Sequence, residues 1–243
     1  MNLIIDIGNT RVKAAVFEQD IVLELVFFDK KRIVSEVKKI VKKYKITKGI
    51  MSSVAIISKI KLEKLQKVLE LELVSSSTKV PFTNLYKTPK TLGVDRIALV
   101  ARAVIKFPKK NVLIIDAGTC ITFDFVNKKS EYLGGAISLG ILMRYRALNK
   151  FTSKLPLLEI KSPKNYIGNS TKESINSGVV NGVIQEIDGI IEQYKNNYSD
   201  LTIVLTGGDT NFLAKRLKNG IFANPIFLLE GLNMILIYNS KND

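Results

Sequence analysis

Two short segments carry the same groups 110 positions apart. Residues 3–10 read LIIDIGNT and residues 113–120 read LIIDAGTC, each an apolar run that ends in Asp-x-Gly. An apolar strand with an acid at its end delivers a carboxylate to a fixed point. The glycine after it permits a tight turn and lets backbone N–H groups approach a phosphate, whose Mg²⁺ the carboxylate can hold. In the first copy, Asp6 is followed by Gly8, Asn9 and Thr10 as donors and by Lys13 as a point charge for a phosphate. A lone Asp-x-Gly is also what a plain hairpin turn looks like; the second copy in register favours a site. Neither G-x-x-x-x-G-K-[ST] nor G-x-G-x-x-G occurs, so the P-loop and Rossmann routes to a nucleotide have no support.

Three further segments carry groups suited to chemistry. TLGVDR (91–96) puts Asp95, a candidate base, beside Arg96, which can grip an anion through two parallel hydrogen bonds. On the hexapeptide alone, a helix N-terminal carboxylate with a surface arginine is the favoured reading. LTGGD (205–209) suits close approach of a flat group such as adenine, or is merely a strand-to-helix turn. GGAISLG (134–140) reads as a phosphate-side turn at a helix N-terminus or as a packed corner.

Composition narrows the chemistry. The 243 residues include no histidine and no tryptophan. Ser-His-Asp and Cys-His catalysis, phosphohistidine relays and histidine-ligated metals are excluded. The single cysteine, Cys120, rules out a disulfide framework and a multi-cysteine zinc site, and fits a reducing cytoplasm. The most apolar C-terminal stretch, 225–238, is broken by Glu230 and Asn233 and falls short of the roughly 20 residues a bilayer span needs. The N-terminus lacks a basic n-region, so no signal peptide or membrane association is expected. The net charge of +15 comes from thirty lysines and seven arginines in runs such as KKIVKKYK (38–45). No aromatic-studded basic strand or helix-turn-helix pattern accompanies them, so solvated helix faces are expected and nucleic-acid binding is not.

Strands and helices that alternate must position these groups. Strands are expected at 2–7, 11–17, 21–27, 48–56, 70–74, 111–126, 131–137 and 201–206. Helices are expected at 32–45, 59–69, 94–106, 141–150, 170–195, 210–218 and 230–238. Residues 75–91 read as a long loop. On helix 32–45, Ile33, Val37, Ile40, Val41 and Tyr44 form the inward stripe. Ser170 with Glu173 three residues on is a capping box, and Val180, Val183, Ile184, Ile187, Ile191 and Tyr194 then mark one face. The repeat implies two copies of one α/β unit, cut between 1–108 and 109–243, with Asp6 and Asp116 at strand ends on either side of a cleft.

The motif set resembles type III pantothenate kinases. DIGNTRVK, the Tyr86…GVDR segment, DAGTCITFD, GGAISLG…RALNKFTSKLP, GNSTKESINSG and LTGGD occur in that family's order and spacing, from about residue 3 to 235. The resemblance implies an α/β fold of two duplicated ribonuclease-H-like, actin-like ATPase domains flanking a nucleotide cleft. It implies ATP-dependent phosphorylation of pantothenate, the first step of coenzyme A biosynthesis. By the same resemblance Asp6, Ile7, Gly8, Asn9, Thr10, Arg11, Val12 and Lys13 form the ATP-phosphate loop, with Asp6 near Mg²⁺ and Thr119 a further ATP contact. Gly93, Val94, Asp95 and Arg96 bind pantothenate together with Tyr86, and Asp95 accepts the proton of its primary hydroxyl. Asp116 binds a monovalent cation, K⁺ or NH₄⁺, and Thr171 reaches pantothenate across a homodimer interface. Two positions depart from the pattern: Leu139 stands where proline is usual, and Cys120, read as a small buried residue, stands where alanine is common. The reading from a different class is a basic nucleic-acid-binding or accessory regulatory protein on the same fold, which would bind DNA in a salt-sensitive way with no need for Asp95.

Overall fold

The computed structural model describes residues 1–240. The chain separates into two compact units. The first gathers residues 1–109, residues 129–133 and the chain from Ile226 onward; the second holds 110–128 and 134–225. Two later segments of the chain thus return to the first unit.

In the first unit, β1 (Asn2–Ile7) pairs antiparallel with β2 (Val12–Glu18), and β2 with β3 (Ile21–Phe28). On the other side of β1 lie β4 (Lys48–Ser53) and then β5 (Glu70–Leu73), both parallel. A central strand covered on both faces reads as an unbroken apolar run, and Leu3, Ile4 and Ile5 are all fully buried. Helix α1 (Ile33–Tyr44) buries Ile33, Val37 and Ile40 as its periodicity predicts, with Val41 and Tyr44 half-buried against the same core. Its lysines are exposed. Helix α2 (Lys59–Gln66) starts at Ser58, whose hydroxyl accepts from the Lys61 N–H. Helix α3 (Val94–Lys106) follows the expected loop. That loop is partly tied down: β6 (Thr83–Asn84) pairs with residues 131–132, and 89–91 form a 3₁₀ turn.

The second unit repeats the plan. The expected strand set at 111–126 is a hairpin of β7 (Asn111–Ala117) and β8 (Cys120–Val126). The sheet runs β9 (Glu131–Leu139), β8, β7, β10 (Leu201–Thr206), β11 (Phe222–Ala223), with β10 parallel to β7 and β11 parallel to β10. This is the same succession as β3-β2-β1-β4-β5, so the repeated motif marks a repeated topology. Helices α4 (Ile141–Lys150), α5 (Thr171–Asn197) and the short α6 (Thr210–Ala214) complete the unit. On α5, Val183, Ile187 and Ile191 are buried in one cluster with Leu113, Ile115 and Phe123, with Ile184 and Tyr194 half-buried beside them; Val180 is buried but lies outside that cluster. Ser170 caps α5 by accepting from the Glu173 N–H at 3.3 Å. The Glu173 carboxylate reaches back one residue further than a capping box requires, to the Asn169 N–H at 3.1 Å.

The last helix, α7 (Phe227–Ser240), returns to the first unit and packs along α3. The two backbones approach closely at Gly231, where a Cβ would stand 2.1 Å from the Ala98 carbonyl oxygen. Arg102 on α3 and Glu230 on α7 pair at 2.8 Å across the same crossing. Asn233, fully buried, donates to the Gln19 carbonyl and accepts from the Asn2 side chain, fixing α7 to the sheet.

Candidate active site

In the first unit the carboxylate at the end of β1 is enclosed. Asp6 is only 4% exposed. It faces Lys13 across the β1–β2 hairpin and Ser52 on the parallel strand β4, and the Ser52 hydroxyl donates to Asp6 Oδ1 at 2.8 Å. Burial pushes the Asp6 carboxyl above its usual range; the Lys13 charge and the Ser52 bond pull it back, and the Asp95 charge pushes it further up. Asp6 and Asp95, 89 positions apart in sequence, therefore lie within electrostatic reach of each other. The turn that follows is closed by the Gly8 N–H donating to the Arg11 carbonyl at 3.2 Å. Lys30 donates to the Asn9 carbonyl at 2.7 Å, and the Arg11 guanidinium lies 4.4 Å from the centre of the Phe27 ring. Asn9, Thr10 and Arg11 are exposed, whereas Ile7 and Val12 point into the core. From Ile7 and Val12 only backbone groups are offered to a ligand.

Asp95 sits in the first turn of α3. Its carboxylate curls back over Gly93, with Oδ1 2.3 Å from where a glycine Cβ would stand, and accepts from the Arg96 N–H at 2.9 Å. Any residue larger than glycine at 93 would displace it. Arg96 is 5% exposed, which overturns the surface-arginine reading of TLGVDR. Its guanidinium lies 5.6 Å from the Tyr86 ring centre. The structure thus brings Tyr86, Asp95 and Arg96 into one cluster and sets Asp6 beside it.

Sequence reasoning missed two members of this neighbourhood. Ser52 lies at the end of β4, and the parallel pairing of β1 with β4 in a βαβ reading is the signal that could have found it. Tyr132, fully buried and stacked on Tyr86 at 6.0 Å, had no local signal.

In the second unit Asp116 occupies the Asp6 position, near the end of β7. Thr206 on β10 and Thr122 on β8 are its partners in register on either side, so the three side chains project from one face of the sheet. Both threonine hydroxyl oxygens are buried, with no hydrogen-bond partner among the described residues. Gly207, at φ +96°, brings the LTGGD turn against the end of β7: a Cβ there would stand 2.3 Å from Asp116 Oδ1. The Asp209 N–H donates to the Ala117 carbonyl at 2.9 Å, and burial pushes the Asp209 carboxyl up. Thr119 is exposed in the β7–β8 turn, and its carbonyl accepts from the Gly140 N–H at 3.1 Å. GGAISLG therefore packs against that turn. Cys120 is a half-buried free thiol rather than the buried residue expected.

Thr171, first residue of α5, lines a groove of about 1010 Å³ with Leu139, Leu148, Phe151 and Ile175. Leu139 links this groove to the Gly140–Thr119 contact. Phe151, Tyr166 and Ile167 nearby are each about four-fifths exposed. Among the described residues, no group of three or more His, Cys, Asp or Glu side chains converges on a metal position, and no helix is long and apolar enough to cross a membrane.

Comparison with known proteins adds an independent line. The family model described as type III pantothenate kinase matches residues 2–193. A type III pantothenate kinase of Flavobacterium johnsoniae is 49% identical over the whole of both chains. That of Christiangramia forsetii is 50% identical, covering 98% of this chain and 99% of its own. Among solved structures, a Campylobacter jejuni protein provisionally called a Baf family transcriptional activator superposes with a TM-score of 0.66 at 21% identity, over 98% of this chain and 99% of its own. A glucokinase from an Antarctic psychrotroph superposes with a TM-score of 0.53 at 13% identity, over 98% of each chain. At those identities the structures establish the shared fold: the duplicated α/β architecture of sugar kinases and actin-like ATPases.

Proposed function

The chain belongs to the type III pantothenate kinase family, and we propose that it phosphorylates the primary hydroxyl of pantothenate with ATP, in the first step of coenzyme A biosynthesis. The observation that carries the assignment of roles is the cluster of Asp95, Arg96 and Tyr86, with Asp6 within electrostatic reach of Asp95. In this reading the hydroxyl oxygen forms a bond to the γ-phosphorus as the bond to the ADP oxygen breaks, and its proton passes to Asp95. Phosphoryl transfer needs groups positioned and charge neutralised more than it needs covalent chemistry, which is why a chain without histidine suffices. Arg96 and Tyr86, with the backbone of Gly93 and Val94, hold pantothenate. The segment Asp6–Lys13 cradles the ATP phosphates through the backbone of its turn, the exposed Asn9 and Thr10, and Lys13; Thr119 contacts ATP.

Asp6 offers one carboxylate, steadied through Oδ1 by Ser52. That suits Mg²⁺, which is commonly held by one or two carboxylates with waters and substrate phosphates. Asp116, flanked by the partnerless hydroxyls of Thr122 and Thr206, is an all-oxygen donor set that suits K⁺ or NH₄⁺. When bound, these ions offset the charge that develops on the transferred phosphoryl group.

The groove at Thr171 supports the homodimer. Its apolar wall and the exposed Phe151, Tyr166 and Ile167 form a patch of the kind that marks an interface. The adjoining face of α5 carries Gly178, Gly182 and Gly189, where an added Cβ would meet nothing within 4 Å. In this reading the dimer lets Thr171 of a second copy contact pantothenate.

The test is pantothenate-dependent ADP release, measured with and without K⁺. Asp95→Asn is expected to lower kcat by about 10²–10⁴-fold, the usual share of general-base catalysis, while the circular dichroism spectrum is retained. Unaltered turnover in that variant would sink the proton-acceptor role. Preference for a sugar acid over pantothenate would refute the substrate. Salt-sensitive DNA binding without kinase activity would favour the regulatory reading.

A further inference from the structure

The pantothenate cluster depends on Tyr132, which no motif contains. Tyr86 lies in the segment 75–91, which has only the two-residue strand β6 and one 3₁₀ turn to order it. A half-buried tyrosine on such a segment is free to change rotamer unless something packs against its ring. The residues 130–132, returning to the first unit from the end of the β8–β9 connection, supply what packs. The Thr83 N–H donates to the Ser130 carbonyl at 2.9 Å, and the Leu85 N–H to the Tyr132 carbonyl at 3.0 Å. The Tyr86 N–H is taken by the Asn84 side chain at 3.0 Å. These bonds fix the backbone on either side of the ring. The ring itself meets Tyr132, centroids 6.0 Å apart and planes 25° apart. Tyr132 is fully buried, and Phe82 packs edge-on against it at 6.1 Å and 72°. The far end of the chain is Arg96, over Tyr86 at 5.6 Å. Each separation lies within the range in which such pairs attract. Rigidity therefore passes from a buried ring, Tyr132, to a half-buried one, Tyr86, and on to the cation.

We propose that Tyr132 is a positioning residue for the pantothenate site: its buried ring, seated against Phe82, sets the orientation of Tyr86 and through it of Arg96. The proposal deepens the functional reading above and rests on it. Tyr132 touches neither reacting atom. Its loss weakens the grip on pantothenate in ground state and transition state alike, which appears as a raised KM with kcat unchanged.

Steady-state kinetics with each substrate varied in turn test this. Tyr132→Leu is expected to raise KM for pantothenate about tenfold, equivalent to about 1.4 kcal/mol, with kcat and KM for ATP within about twofold of the parent. Tyr132→Phe, which keeps the ring, is expected to restore the pantothenate KM. Phe82→Leu, which loosens the stack from its other contact, is expected to raise it by about threefold and serves should Tyr132→Leu fail to fold. An unchanged pantothenate KM in the Leu variants overturns the proposal, as does a parallel loss of kcat and of ATP affinity, which is the signature of general damage. A Phe variant as impaired as the Leu variant assigns the effect to the hydroxyl and also overturns it. A parent enzyme with no pantothenate-dependent turnover overturns the functional reading itself; an active parent with indifferent Tyr132 variants leaves that reading intact.

Discussion

At the scale of the residue, Asp6 and Asp95 are held on different terms. Asp95 is half-buried at a helix N-terminus, where backbone N–H groups favour a carboxylate. Asp6 is almost fully enclosed, and its desolvation outweighs the compensation from Lys13 and Ser52. A carboxyl whose folded-state pKa is raised contributes stability at low pH and loses it as pH rises through that value. The ionised Asp6 of the free protein is thus a net cost near neutral pH, one that a Mg²⁺-bound phosphate would relieve. Asp6→Asn is expected to remove activity while raising the stability of the nucleotide-free protein at pH 7 by the order of 1 kcal/mol, about 2–4 °C in Tm. That gain should shrink as pH falls toward 3.8, the ordinary aspartate value. Thermal melts of both proteins across that range check it; a variant less stable at pH 7 would show that the Lys13 and Ser52 contacts outweigh burial. The identity of Asp6 as a special residue was legible in Asp-x-Gly. Its enclosure was not, because Ser52 and Asp95 come to it from 46 and 89 positions away.

At the scale of the element, local sequence rules did most of the placing. The inward stripe of α1, the Ser170 cap of α5 and the apolar run of β1 each depend on neighbours within a turn or a pleat, and each lies where those rules put it. What escaped is set by contacts from outside the element. Strand β6 exists because residues 131–132 pair with it, and the two-residue β11 because β10 does. The crossing of α3 and α7 is likewise invisible locally, since Gly231 in an apolar helix reads only as a weak helix former. There the Ala98 carbonyl leaves no room for a side chain. Gly231→Val is expected to cost about 2 kcal/mol or more, through overpacking at a backbone contact, seen as a lowered urea midpoint. An unshifted midpoint would mean that the helices part without penalty.

At the scale of the whole molecule, the composition leaves a choice that the comparisons narrow. The +15 charge resides largely on exposed lysines such as those of α1, and the kinase relatives match across the full length of the chain. Assembly is the open property with the clearest test. Gly182 lies on the unoccupied face of α5, where a side chain meets nothing of its own chain, so Gly182→Arg is expected to leave the fold and Tm nearly unchanged. If a second copy covers that face, the variant sediments as a monomer while the parent sediments as a dimer, and its KM for pantothenate rises about tenfold or more. A parent that sediments as a monomer would remove Thr171 from the site. Local sequence was enough for the duplicated plan, the longer strands and helices in their order, and the candidate carboxylates, because a strand's alternation, a helix's period and an Asp-x-Gly turn are all written within a few consecutive residues. Only the tertiary structure decided that the chain's last helix belongs to its first unit, that Arg96 is buried, that Ser52 steadies Asp6 and that Tyr132 backs Tyr86. Each of those is a meeting of distant segments, fixed by which surfaces can be buried together, and no local pattern carries that information.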